Sequence, residues 1–161
     1  MKTKTSTWYE CKIRYGKMME DGMLKKVTES YTVEALSFTE AEANIIKEMS
    51  AYISGEFEVR DIKKAAYGEV FFSDSPCSDD NWYKYKVQFI TIDEKTEKEK
   101  RQKFTYLVQA SSSENAIANT NECFKGSMSD YEIVDVNETK ILDVYEHTAK
   151  NEGKEGGEGI C

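Results

Sequence analysis

Two short stretches collect the residue types that hold a single strand of nucleic acid. In Trp8-Tyr9-Glu10-Cys11-Lys12-Ile13-Arg14-Tyr15 one alternate set is Trp8, Glu10, Lys12 and Arg14. In Trp82-Tyr83-Lys84-Tyr85-Lys86-Val87-Gln88-Phe89 it is Trp82, Lys84, Lys86 and Gln88. A ring on the exposed side of a strand stacks a base while neighbouring cations hold phosphates, and such stacking contributes about 1–3 kcal/mol per base. The candidate binding face is therefore Trp8, Lys12, Arg14, Trp82, Lys84 and Lys86. Two other readings fit the same residues. Matched tryptophans fill the interface between two similar units, and lysines opposite a core form an ordinary solvated face that discourages edge aggregation. The face also suits a protein partner.

Other chemistry has little support. A hydrolase needs a positioned nucleophile and a base, most often His. The sole histidine, His147, follows Glu146 at the start of a polar tail and reads as solvated. Cys11, Cys77, Cys123 and Cys161 are far apart, without the paired spacing of a zinc or redox motif, and are expected to be unpaired thiols. Glu40 and Glu42 fall at a helix start, where the helix dipole accounts for them. Asp79 and Asp80 fall in a linker, and Asp93-Glu94 lacks the spaced oxygens of a calcium loop. No GxxxxGK[ST] or GxGxxG is present, so a phosphate-cradling loop is not indicated. The expectation is a protein that is not an enzyme and carries no cofactor or metal.

The elements that must position these residues repeat. Trp8–Tyr15 aligns with Trp82–Phe89 at an offset of 74, and Tyr31–Ala35 with Tyr106–Ala110 at 75. Phe57–Ile62 aligns with Tyr131–Val136, and Val70-Phe71 with Val144-Tyr145, both again at 74. Four blocks in one order indicate an internal duplication.

Within each copy the first block alternates with period two, as a half-buried strand does, with Tyr9, Cys11, Ile13 and Tyr15 inward. Turn residues follow, Asp21-Gly22 and then Asp93-Glu94-Lys95-Thr96, so the next strand pairs as a hairpin. Its inward side is Tyr31, Val33 and Ala35, or Phe104, Tyr106, Val108 and Ala110. Ser37 or Thr39 with Glu40 or Glu42, and Ser111-Ser112-Ser113-Glu114, are capping signals. Ala41, Ile45 and Met49, with Ile46 beside them, make an apolar helical stripe echoed by Ala116, Thr120 and Phe124.

The predicted fold class is α+β: two tandem ββαββ repeats packed as one pseudo-two-fold body, mostly antiparallel, with one helix each. The predicted organisation is a disordered 1–7, repeat one at 8–72, a linker at 73–81, repeat two at 82–145 and a disordered tail at 146–161. Units of this size bury too little surface to stand alone, so the two are expected to pack together.

The net charge of −8 is uneven: residues 1–73 hold 11 basic and 12 acidic side chains, and 74–145 hold 9 and 14. That balance disfavours long contacts along duplex DNA, where phosphate contacts supply the affinity. The apolar runs are only a few residues, against about 20 for a membrane helix, and the N-terminus has no signal-peptide pattern. A cytoplasmic protein, in a bacterium or a phage-infected host, is the expectation.

The stretch Ser37-Phe38-Thr39-Glu40-Ala41-Glu42-Ala43, with Trp8–Lys12 before it and Ile53–Phe57 after it, resembles a family found in gut Bacteroidota and their phages and mobile elements. Tyr106–Ala110 and Ser129–Ile133 are similar to that family's second half. The resemblance spans roughly residues 8–145 and implies no activity, cofactor or catalytic residue; it implies phage or mobile-element biology. The functional expectation is a non-catalytic binding or adaptor protein acting on a protein partner. The alternative is single-stranded DNA binding through the six residues above. An enzyme stands third, since duplicated small α+β units do sometimes bind metabolites in the cleft between the copies.

Overall fold

The alternation that marks the first block as a strand is satisfied by a helix on one side. In a computed structural model, which describes residues 1–126 and 130–147, Tyr9, Cys11, Ile13 and Tyr15 of β2 (Trp8–Met18) are buried together with Ala41, Ile45 and Met49 of α1 (Phe38–Tyr52). The other elements are β1 (Lys2–Thr5), β3 (Leu24–Glu34), β4 (Phe57–Lys64), β5 (Glu69–Phe72), β6 (Asn81–Ile92), β7 (Glu99–Ala110), α2 (Ser113–Phe124), β8 (Asp130–Glu138) and β9 (Ile141–Tyr145). Tyr83, Tyr85 and Val87 of β6 are buried with Tyr106 and Val108 of β7 and Ala116 of α2. Ser37 caps α1 by accepting the Glu40 amide at 3.1 Å, and Ser112 caps α2 by accepting that of Asn115 at 3.1 Å. The second cap thus lies one residue beyond Ser111, and Ile46 is exposed rather than part of the stripe.

The strands form two mostly antiparallel sheets, β4-β2-β3-β9 and β1-β5-β7-β6-β8. Each has a helix on its outer face, and the inner faces meet around Trp8, Tyr67, Val70, Trp82, Leu107, Ile141 and Val144. The order is helix, sheet, sheet, helix, an α+β architecture.

The fourth strands depart from the expected self-contained units. β5 leaves its own hairpin and lies parallel to β7, while β9 lies parallel to β3. Burial explains the exchange. Val70 points into the layer between the sheets and Phe71 into the core under α2, and both are buried. At the free edge beside β4 neither side chain would be covered on both faces.

Residues 1–7, expected to be disordered, contain β1, which pairs antiparallel with β5 from Lys2↔Phe72 to Thr5↔Glu69. The short β5 has one edge left after pairing with β7, and the alternating Lys-Thr-Lys-Thr covers it, with lysines suited to an outer edge. The N-terminal ammonium is fixed 2.8 Å from Asp74. Of the tail, Glu146 and His147 are described, and the expectation of disorder beyond them lies outside the described residues. Cys11 and Cys123 are free thiols as expected, but Cys77 departs from that expectation and is disulfide-bonded. No helix among the described residues is long and apolar enough to cross a membrane.

Candidate functional site

The six residues of the proposed strand face are not brought together as a stacking platform. Trp8 and Trp82 are 1% and 2% exposed, at the centre of the layer between the sheets. Phe72 meets the Trp82 ring edge-on at 5.7 Å. Strand alternation places both rings opposite the helix side, but a second sheet covers that side, so neither ring is open to a base. The cations are also interleaved with acids. Lys12 stands opposite Asp61 on β4, Arg14 opposite Glu58, and Lys86 opposite Asp135 on β8.

Further along the same inner faces a cleft of about 290 Å³ lies between residues of the two sheets. Glu10 and Lys12 of β2, Lys63 of β4, Lys84 of β6 and Lys140 of the β8–β9 turn line it, with Ile141 at its inner end. Glu10 lies 3.2 Å from Lys84 Nζ and 3.4 Å from Lys63 Nζ, so it ties the two sheets together. Its Oε1 is sealed from solvent, and the contact with Lys84 is an ion pair without hydrogen-bond angles. Asp61 and Glu138 also border the cleft. Lys84 was legible as a candidate; its use by Glu10 was not.

Cys11 forms part of the cleft wall and is fully buried. Burial, with Asp61 and Glu10 nearby, pushes its thiol up to about 12, so it stays protonated at neutral pH. Among the described residues no group of three or more His, Cys, Asp and Glu is placed to hold a metal ion.

A second cluster surrounds Glu34 at the end of β3. Its Oε1 accepts from Lys4 Nζ at 2.7 Å and from the His147 backbone amide at 2.8 Å. His147 Nδ1 lies 3.6 Å from Glu40. His147 is exposed, as expected of a solvated histidine, and stands beside the start of α1. Burial of Glu34 works against its ionisation, but hydrogen bonds from Lys4, Ser6 and the His147 amide outweigh it and hold the carboxyl below its ordinary value. A carboxyl depressed in the folded state stabilises the fold above its unfolded value of about 4.5, and that contribution fades as pH falls through the folded value. Lys4→Met is therefore expected to lower stability at neutral pH and to flatten the loss on acidification below pH ~4.5. Urea unfolding at a series of pH values reads this; an unchanged acid slope in the variant would assign the slope to other carboxylates.

The feature that sequence reasoning missed is the outer half of the β2–β3 hairpin. Pairing of β4 with β2 ends at Tyr15↔Phe57, and β9 reaches β3 only from Ser30 onward. Beyond those points residues 16–26 form a two-stranded ribbon that is exposed on both faces. The ladder continues to Met18↔Leu24, closed by Met19 N–H to the Met23 carbonyl at 2.9 Å, with Gly22 at φ 79° in the turn. Met18, Met23 and Leu24 are 63%, 69% and 70% exposed, and Met19 stands beside them. Lys17, Lys25 and Lys26 flank this apolar tip. The signal was present in the sequence: Met18-Met19 puts apolar residues on both faces of a strand, which a half-buried strand has no reason to do.

Among known proteins, one family model matches, over residues 7–147; its description is Domain of unknown function (DUF4494). No curated protein and no solved structure matches the chain.

Proposed function

The chain belongs to that family, and from this premise we propose that it is a non-catalytic binding or adaptor protein that engages a protein partner through the tip of the β2–β3 ribbon. The observation that carries this reading is the cluster of Met18, Met19, Met23 and Leu24, exposed on a ribbon with nothing packed on either face. Exposed apolar clusters of this kind mark interaction sites. Methionine adapts its shape to a partner surface, which suits binding more than core packing. Glu20 and Asp21 sit at the apex between the methionines, where a lipid interior would have to desolvate them, so a protein groove fits better than a bilayer.

Single-stranded DNA binding is the weaker reading. Both rings it needs are buried, and three of its four cations stand opposite acids. A cytoplasmic setting in phage or mobile-element biology is part of our proposal and rests on the resemblance of the Ser37–Ala43 motif.

We also read the architecture as a duplicated ββαββ unit with pseudo-two-fold symmetry. Equivalent registers support this: Tyr31↔Asp143 in β3–β9 matches Tyr106↔Glu69 in β7–β5. The bulge after Lys12 has its counterpart after Lys86. The bond from His147 N to Glu34 corresponds to that from Ser73 N to Gln109.

The test is capture from nuclease-treated lysate of a Bacteroidota host, comparing the intact chain with Met18→Glu/Leu24→Glu. Both positions are exposed, so folding should be unchanged by circular dichroism. A partner retained by the intact chain and lost by the variant, at least about tenfold in apparent affinity, is the expected result. Identical capture by both proteins would remove the ribbon from the reading, and a partner captured only in a parallel lysate left without nuclease would overturn it.

A further inference from the structure

The geometry points to the inter-sheet cleft as a binding site for a small organic anion, separate from the ribbon. Three features converge there. The space of about 290 Å³ is more than a bare phosphate fills and at the small end of ligand pockets. It is walled by Lys12, Lys84 and Lys140, whose ammonium groups can meet one anionic group from both sheets and from the β8–β9 turn. Neither Lys12 nor Lys140 is in an ion pair among the described residues. Lys84 contributes one contact to Glu10 and keeps further N–H donors, because an ammonium has three. Glu10 acts as a positioning residue: it lines the cleft between Lys63 and Lys84, with its Oε1 sealed from solvent, and fixes the Lys84 ammonium at the wall.

The cleft's inner end supplies the fit for a neutral or apolar body. Ile141 closes it with a branched aliphatic side chain. At the position 74 residues earlier stands Tyr67, a larger side chain buried in the same inter-sheet cluster with its hydroxyl 2.7 Å from Thr32 Oγ1. The aliphatic residue at 141 leaves room that a tyrosine would take. Asp61, opposite Lys12 on β4, and Glu138 line the same cleft and set a limit on how much negative charge is accepted, which favours a ligand with one anionic group over a polyanion.

A phosphate ester and a carboxylate present the same chemistry to three lysines, and two probes distinguish them: ribose 5-phosphate and gluconate, with neutral ribose as control. Calorimetric titration of the intact chain should show binding of one or both anions and none of ribose. Lys12→Gln and Lys140→Gln, both at exposed positions, should each weaken it about five- to tenfold, as loss of one charge-assisted contact does. Ile141→Tyr should abolish binding while leaving every charge in place. If that variant folds poorly, the two lysine variants still decide. No heat with either anion at millimolar concentration, or anion binding that the lysine variants leave unchanged, overturns the site.

Discussion

Trp8→Ala and Trp82→Ala should each cost about 3–5 kcal/mol of folding stability, the range for removing a large buried aromatic. The reason for so large an effect is where the rings sit. Each sheet has its own core under its helix, but the layer between the sheets is small, with seven buried residues. Beyond it the inner faces turn polar at Glu10 and Lys84. A cavity at either tryptophan therefore weakens the junction itself, and neighbours anchored in two regular sheets are poorly placed to collapse into it. Urea unfolding followed by circular dichroism gives the magnitude, and emission from the single remaining tryptophan should be blue-shifted in each variant. A cost under about 1 kcal/mol, within the range of surface substitutions, together with red-shifted emission, would place the rings in solvent and return them to the nucleic-acid reading.

The second large effect is expected on dividing the chain. Residues 1–79 expressed alone contain β5 without the β7 it pairs with, and leave β3 without β9. Val70 and Phe71 lose the layers that bury them, and Trp8 loses most of its surroundings. No folded monomer should form: light scattering and circular dichroism should report an unfolded chain or a self-associated one. Mixing with residues 80–161 should restore a one-to-one folded complex. A monomeric fragment that unfolds cooperatively would show that the exchanged strand is dispensable.

How far the sequence could be read follows from what periodicity measures. Period two located β2 and β6 and their helix-facing residues, because Tyr9, Cys11, Ile13 and Tyr15 alternate strictly with polar neighbours. It says which side of the strand Trp8 occupies, not whether a second sheet covers that side, and so the burial of Trp8 and Trp82 was left between two readings. The partner of a short strand is equally silent. Glu69-Val70-Phe71-Phe72 is visibly a strand, yet nothing local says that it pairs 37 residues later rather than with its neighbour. β1 was missed because its Lys-Thr alternation has no apolar face, and an edge strand does not need one. The cleft depends on how the two sheets pack against each other, which no single strand encodes. The ribbon was the avoidable omission, since its apolar residues could be seen to have no core to enter.

The exchange of fourth strands also bears on the order in which the molecule can be completed during synthesis. Chains generally fold from the N-terminus as they emerge. Here β3 waits for β9, more than a hundred residues later, before its sheet is finished. The β2–β3 hairpin and α1 can form early, but their sheet keeps an open edge until almost the whole chain has left the ribosome. Such long-range pairing is slow, and while the edge stands open it can accept the wrong strand, including β5 of the same chain, the strand that occupies the matching place beside β7.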